Sequence, residues 1–377
     1  MAQGIILYMS LKKNNIKFVD IYRQNKIIEE SYVKELRKKI IRSEFIEGSE
    51  VKRFEQNFSD FCNKKYTISL NSGTDALKLA LRALDIGDGD EVITVPNSYF
   101  STASTISELG ATPIFVDIDP VYYTIDVENI EKSISSRTRA IIPVHMYGQM
   151  ADMDKIMKIA KKYDLNVIED CAHSPGSKYK NKIAPFGDVG AFSFYPGKNL
   201  GAWGDAGAIV TSNESIANKL FFLKNDGSVE KYVHDYLGYK SRMDEVQALA
   251  LNLKLTYLER WNTERRLIAQ QYLKNLAGIR NIHLPKEASY AYHVYHLFVI
   301  EVEKRDELRK FLLKKGIETI IHYPIPIHMQ KPYLKDYGNG LFPITESKSK
   351  KILSLPIFPG MKEFEVDFIC DQIIRFK

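Results

Sequence analysis

Hydrophobic positions recur with a helical period at the start of the chain and then fall into short blocks. Residues 1–10 are mildly apolar and uninformative. The stretch IIEESYVKELRKKII, Ile27 to Ile41, has helix-like spacing with a basic face. SEFIEGSEVKRFEQNFSDFC reads as a turn at Gly48, then an amphipathic helix with Val51, Phe54, Phe58 and Phe61 on one side. A regular alternation follows. YTISL (66–70), EVITV (91–95), PIFVDI, RAIIPV (139–144) and NVIED (166–170) are β-rich apolar runs. Between them, TDALKLALRALD, YFSTASTISELG and segments starting near Asp126 and Asp152 carry helical patterning. Strands separated by helices of this length predict a parallel sheet with right-handed crossovers, its strands buried on both faces.

After Asp170 the strands shorten to GAFSF (190–194) and AGAIVT (206–211). A helix from about Glu214 and a long one from Met243 to Leu276 are expected next. From about Asn281 the pattern is that of a separate α+β lobe: a strand YHVYHLFVIEV, a helix RDELRKFLLKKG, a strand GIETIIHY and two more helices. The expected organisation is an N-terminal segment (1–45), a large α/β domain (46–275) and a smaller C-terminal α+β domain (276–377). No repeats or low-complexity tracts interrupt it.

Composition narrows the classes. A chain of 377 residues has enough length for a deep core without disulfides. Cys62, Cys171 and Cys370 are odd in number, far apart and in no paired metal-ligand spacing, which fits a reduced cytoplasmic protein with no metal site. No apolar run approaches the ~18 residues of a membrane span, and the N-terminus lacks a signal-peptide pattern. Net charge is +6, but residues 11–42 hold ten Lys/Arg and four Asp/Glu, so the rest of the chain balances. No basic stripe is expected, and neither nucleic acid nor a membrane is an expected partner.

An open α/β sheet binds ligands at the C-terminal ends of its strands. Asn71-Ser72-Gly73-Thr74-Asp75-Ala76 lies at one such place: Gly73 allows close approach, Thr74 adds a hydroxyl, and the helix start offers free amides to a phosphate. An ordinary N-cap turn has the same appearance. Asp170 ends an apolar strand, where a carboxylate needs a cationic partner; His173 follows it in VIEDCAHSPGS. An N-cap, a salt bridge or a satisfied loop histidine would account for these two as well. In GAFSFYPGKNLGAWGDAGAIVT, Lys198 sits in a glycine-rich loop with Ser193, Tyr195 and Asn199, surroundings suited to a lowered pKa and Schiff-base chemistry. Neither G-x-G-x-x-G nor a complete P-loop is present. A phosphate turn, a strand-terminal carboxylate and a loop amine are the groups pyridoxal phosphate (PLP) needs, with Tyr99 available to stack on its ring or to serve as a core aromatic.

NSGTDAL, VPNSYFSTAS, VIEDCAH, SFYPGKNLGAWGDAGAIVT and GYKSRMDEVQALAL, in this order, resemble the DegT/StrS-type sugar aminotransferases from about Ile40 onward. The resemblance implies a fold-type-I (aspartate-aminotransferase-like) α/β protein with PLP as cofactor. It makes Lys198 the lysine that carries the cofactor and Asp170 the partner of the pyridine nitrogen. Gly73, Thr74 and Ser193 would hold the phosphate, Tyr99 would stack on the ring, and His173 would lie near its O3′. Lys240 stands where such proteins commonly have an asparagine that reaches the phosphate from a neighbouring subunit, so a homodimer with shared sites is implied. The retained lysine weighs against the dehydratases of this family. IHYPIPIHMQ (321–330) resembles members that aminate C-3 of dTDP-linked 3-keto-6-deoxyhexoses, with His322, Tyr323 and Tyr195 as sugar contacts and L-glutamate as the expected donor. Amination at C-4, a cyclitol ketone substrate and a non-enzymatic PLP-binding regulator are the alternatives. Arg242, Lys224 and Lys231 are candidates for binding the donor carboxylate and the diphosphate.

Overall fold

The computed structural model describes residues 15–376. The first fourteen residues of the expected N-terminal segment, including Lys12 and Lys13 of its basic surplus, therefore lie outside the described residues, as does Lys377. The central sheet has seven strands: β1 Tyr66–Leu70, β2 Glu91–Thr94, β3 Thr112–Phe115, β4 Thr138–Ile141, β5 Asn166–Asp170, β6 Val189–Ser193 and β7 Gly207–Thr211. Their order is β1-β7-β6-β5-β4-β2-β3. All pairings are parallel except those of β7, which runs antiparallel to both β1 and β6. The C-terminal ends of β1, β5 and β6 consequently lie along one edge.

Helices cover both faces. On one, Ser49–Cys62 buries Phe54 and Phe58, one turn apart, edge-on against Phe194 at 5.3 and 5.2 Å between ring centroids. On the other, Gly73–Ala83 lays Ala76, Leu77 and Ala80 on the side of the sheet that carries Ile68, Ile168 and Ile209. Its apolar spacing makes it a helix, and the Ser72 hydroxyl caps it by accepting from Asp75 N at 3.1 Å.

Several elements depart from expectation. The long helix is two, Glu245–Leu255 and Leu258–Asn275, because the chain tightens at Tyr257, whose N–H donates to Lys254 O at 2.9 Å. Only Phe298–Val302 of YHVYHLFVIEV joins the sheet formed with Ile282–His283 and Ile352–Leu355. Residues 293–297 are drawn away: Val294 N donates to Gly148 O at 3.0 Å and Leu297 N to Tyr147 O at 3.2 Å. GIETIIHY is no strand; it makes isolated bridges, Ile317 with Ile16 and Ile320 with Ser354.

The basic segment is absorbed by specific pairs. Lys39 is buried against Glu245 (3.1 Å), Glu44 (2.8 Å) and Ser49 Oγ (2.6 Å). Glu245, fully buried, also accepts from Glu50 N at 3.0 Å and Val51 N at 2.9 Å, satisfying the start of helix Ser49–Cys62. Arg23 makes a bidentate pair with Glu365 at 2.6 and 2.7 Å. Among the described residues no helix is long and apolar enough to cross a membrane.

Candidate active site

The turn after β1 is pressed against β6. A Cβ built on Gly73 would lie 2.5 Å from Ser193 Cβ and 3.0 Å from its Cα, a distance real side chains do not tolerate. A Cβ on Gly207 would meet Ser72 O at 2.3 Å. These contacts bring the first amides of helix Gly73–Ala83, which have no intrahelical partner, beside the Ser193 hydroxyl. Thr74 Oγ1 lies 2.9 Å from Ser101 Oγ, adding two more hydroxyls at this edge. The arrangement is a cradle for a phosphate-sized anion.

Asp170 ends β5 with its carboxyl buried. Thr102 Oγ1 donates to Oδ2 at 3.0 Å and Ala172 N to Oδ1 at 3.1 Å. Thr102 has one proton and spends it on Asp170, so Ser98 Oγ, 2.9 Å away, donates to Thr102 in turn. Burial nevertheless pushes the Asp170 carboxyl above its ordinary range; the two hydrogen bonds and the charge of Lys198 offset this only in part. The carboxylate lacks a full cationic partner.

Lys198 is half-buried in the turn after β6, where its N–H donates to Tyr195 O at 2.8 Å. Desolvation lowers its amine to about 8, against the opposing pull of Asp170. Its charge is felt by His173, His296 and His322, so all three rings border this amine. His173 is buried with Nδ1 unpartnered, and its ring lies 4.6 Å from that of His296. Burial holds His173 well below the usual imidazole range, and it lowers His322 to about 4. His322 is oriented by Ser354 Oγ at 2.9 Å and by Tyr147, whose hydroxyl donates to His322 O at 2.6 Å. The Tyr323 hydroxyl is pushed up by burial and then by Asp170 and Tyr99; its ring centroid is 6.0 Å from that of Tyr99. Tyr99 and Tyr195 are 59% and 57% exposed, leaving their ring surfaces open to a ligand.

The remaining candidates have other partners. Lys240 is exposed, 3.6 Å from Asp226. Lys224 is buried and its ammonium is committed to Glu55 at 3.2 Å, so it is not free for a substrate carboxylate. Arg242 Nη1 lies 3.4 Å from Asn225 Oδ1, and exposed Lys231 lies over the Tyr232 ring. Buried His145, Glu169 and Cys171 cluster, but His145 Nδ1 accepts from Ala151 N at 3.2 Å and Nε2 faces Glu169 at 2.8 Å, so neither nitrogen is open to a metal. Thr102, Asn199 and His296 belong to the site although nothing in the sequence marked their contacts. Thr102 follows Tyr99 by three positions and Asn199 follows Lys198 directly, and these are the local hints to two of the three.

Comparisons with known proteins bear on the family and the fold. A sequence model of the DegT/DnrJ/EryC1/StrS aminotransferase family matches residues 26–374. An Aneurinibacillus thermoaerophilus protein named dTDP-3-amino-3,6-dideoxy-alpha-D-galactopyranose transaminase is 44% identical over 377 residues, covering 99% of each chain. The crystal structure of DesV from S. venezuelae, in complex with a ketimine intermediate, aligns with a TM-score of 0.94 and 38% identity, over 96% of this chain and 98% of that one. NtdA from Bacillus subtilis, with bound cofactor PMP, aligns with a TM-score of 0.89 and 32% identity over 96% and 86%.

Proposed function

The chain belongs to the DegT/DnrJ/EryC1/StrS aminotransferase family, and on that premise we propose that it transfers the amino group of L-glutamate to C-3 of a dTDP-linked 3-keto-6-deoxyhexose, with PLP as cofactor. The Aneurinibacillus relative supports the sugar-nucleotide substrate, and the PMP-bound Bacillus structure supports the cofactor. The observation that carries the reading is the opposition of Lys198, an amine held near neutrality, to Asp170, a buried carboxylate short of a cation. The residues fit the group: a protonated ring nitrogen is the partner Asp170 lacks, and the Gly73–Ser193 cradle suits the phosphate.

When bound, PLP supplies an electron-withdrawing ring that takes up the electron pair left on the substrate carbon. Asp170, with Thr102 and Ala172 N behind it, would keep that ring's nitrogen protonated. Gly73, Thr74 and Ser193 would hold the phosphate, Tyr99 would cover one ring face and His173 would sit by O3′. Lys198 Nζ would carry the cofactor at rest. Once freed, an amine of about 8 is about one-tenth neutral at pH 7, far more than an ordinary lysine, and that form would take the proton from the carbon bearing the amino group. The same amine returns a proton to the sugar carbon in the second half-reaction. His322, Tyr323 and Tyr195 are assigned to the sugar. The partner subunit's Lys240 would reach the phosphate in a cytoplasmic homodimer with two shared sites; the exposed apolar side chains Ile41, Tyr232 and Leu237 support that assembly. Residues 46–275 and 276–377 would be its large and small domains.

The purified protein should be yellow, lose its colour with L-glutamate and regain it with the keto-sugar nucleotide. Lys198→Ala should bind PLP only non-covalently and fail to turn over. Wild-type turnover by that variant would sink the assignment.

A further inference from the structure

The residue that follows Lys198 carries a buried amide whose contacts reach far beyond its loop. Asn199 is 1% exposed. Its Nδ2 donates to Asn262 Oδ1 at 2.8 Å and to Val294 O at 3.3 Å, and its Oδ1 faces His296 Nδ1 at 3.1 Å. Asn262, buried in helix Leu258–Asn275, donates from Nδ2 to Pro175 O at 2.9 Å. Val294 O and Pro175 O accept only, so both amides are fixed with their NH₂ groups toward those carbonyls. The oxygen left facing His296 is also an acceptor. His296 Nδ1 must therefore carry the proton, and Nε2 is the bare nitrogen.

The environment of His296 gives this tautomer a purpose. Acting on its ring are His173 from the loop after β5, Lys198 from the loop after β6, Arg265 from helix Leu258–Asn275 and His322 from the C-terminal lobe. None of these is a carboxylate. Arg265 Nη1 is itself spent on backbone carbonyls, including His296 O at 3.2 Å. A carboxylate at position 199 would hold the same tautomer but would stabilise the imidazolium; an amide holds the ring and leaves it neutral.

We propose that Asn199 and His296 are a positioning pair for the proposed reaction: the amide locks His296 as an uncharged ring, so that no second cation forms beside the Lys198 amine. The proposal rests on Lys198 being the cofactor lysine. A cation there would lower the proton affinity of Lys198 further and leave a weaker base to take the donor proton. Neutral His173, whose ring lies tilted at 37° beside that of His296, is protected by the same lock.

The test uses the holoenzyme with ¹⁵N-labelled histidine, wild type and variants, alongside the pH profile of kcat. Wild-type His296 should show a protonated Nδ1 and a bare Nε2, with no titration from about pH 6 to about pH 8.5. Asn199→Asp should make His296 titrate in that range. Its kcat profile should gain an inflection where His296 titrates, separate from the Lys198 rise near pH 8 and absent from wild type. Asn199→Asp combined with His296→Asn should lose that inflection and keep the Lys198 rise, because the ring that took the proton is gone. A wild-type His296 that titrates near neutrality, or carries its proton on Nε2, overturns the proposal without needing any variant to fold. So does an Asn199→Asp profile lowered equally at all pH values, or an added inflection that survives in the double variant. If wild type loses no colour with glutamate, the function itself fails instead.

Discussion

Thr102→Val is nearly isosteric and removes one hydroxyl, the donor to Asp170 Oδ2 at 3.0 Å. Thr102 is buried, so no water replaces the hydroxyl without rearrangement. A hydrogen bond to a charged group is worth about 1.5–3 kcal/mol, and a pKa unit corresponds to about 1.4 kcal/mol. The carboxyl should therefore rise by about one to two further pKa units, in the direction burial already drives it. If the carboxylate holds the cofactor ring nitrogen, PLP affinity should weaken by about tenfold to a hundredfold. The acid limb of the glutamate half-reaction set by Asp170, distinct from the Lys198 rise near pH 8, should move to higher pH by about one to two units. Spectral titration measures the first effect and stopped-flow decolouration across pH the second. Thr102→Ser keeps the donor and should stay within about twofold of wild type. A Val variant with unchanged acid limb and unchanged affinity would refute the claim that this hydroxyl serves the carboxylate.

Other expectations follow from the same geometry. Gly73→Ala places a Cβ 2.5 Å from Ser193 Cβ, so the helix must move off β6; PLP affinity should fall at least about tenfold, with about 1–3 kcal/mol lost in urea unfolding. In wild type the freed Lys198 amine must be neutral to take a proton. Its folded pKa is lowered to about 8, so the single-turnover rate with glutamate should rise as pH passes through about 8 and then level off. Glu245→Gln leaves Lys39 short of a charge partner and weakens the acceptor for two backbone N–H groups, those of Glu50 and Val51; chemical unfolding should show a loss of about 3 kcal/mol, with PLP binding in the folded protein unchanged.

The strands and helices that bear the cofactor residues were legible because each is a local pattern. YTISL and NVIED form strands over the expected residues, with the proposed ligands at their ends. What the sequence hid depends on distant partners. Thr102 meets Asp170 across 68 positions and His296 meets Asn199 across 97, and neither separation leaves a periodic trace. YHVYHLFVIEV has strand composition throughout, yet residues 293–297 spend their backbone groups and the His296 ring on the large sheet's loops instead. GIETIIHY likewise has β-rich composition, but its neighbours allow single bridges, not a ladder. Tertiary competition for backbone hydrogen bonds decided both cases.

The position of β7 has a consequence for synthesis on the ribosome. β1 lies at the sheet's edge, and its sheet partner is β7, with Tyr66 paired to Thr211 and Leu70 to Gly207. A nascent chain emerges from the N-terminus and cannot close this ladder until residue 211 has cleared the exit tunnel. Until then β1 and β6 both present unpaired edges, the kind of surface that recruits other chains. The contacts of Gly207 with Ser72 form in the same step, so the phosphate cradle takes its final shape as the last strand slots in. A premature stop before residue 207 should therefore yield an aggregating fragment with no affinity for the cofactor, and chaperone dependence should peak over that stretch of translation.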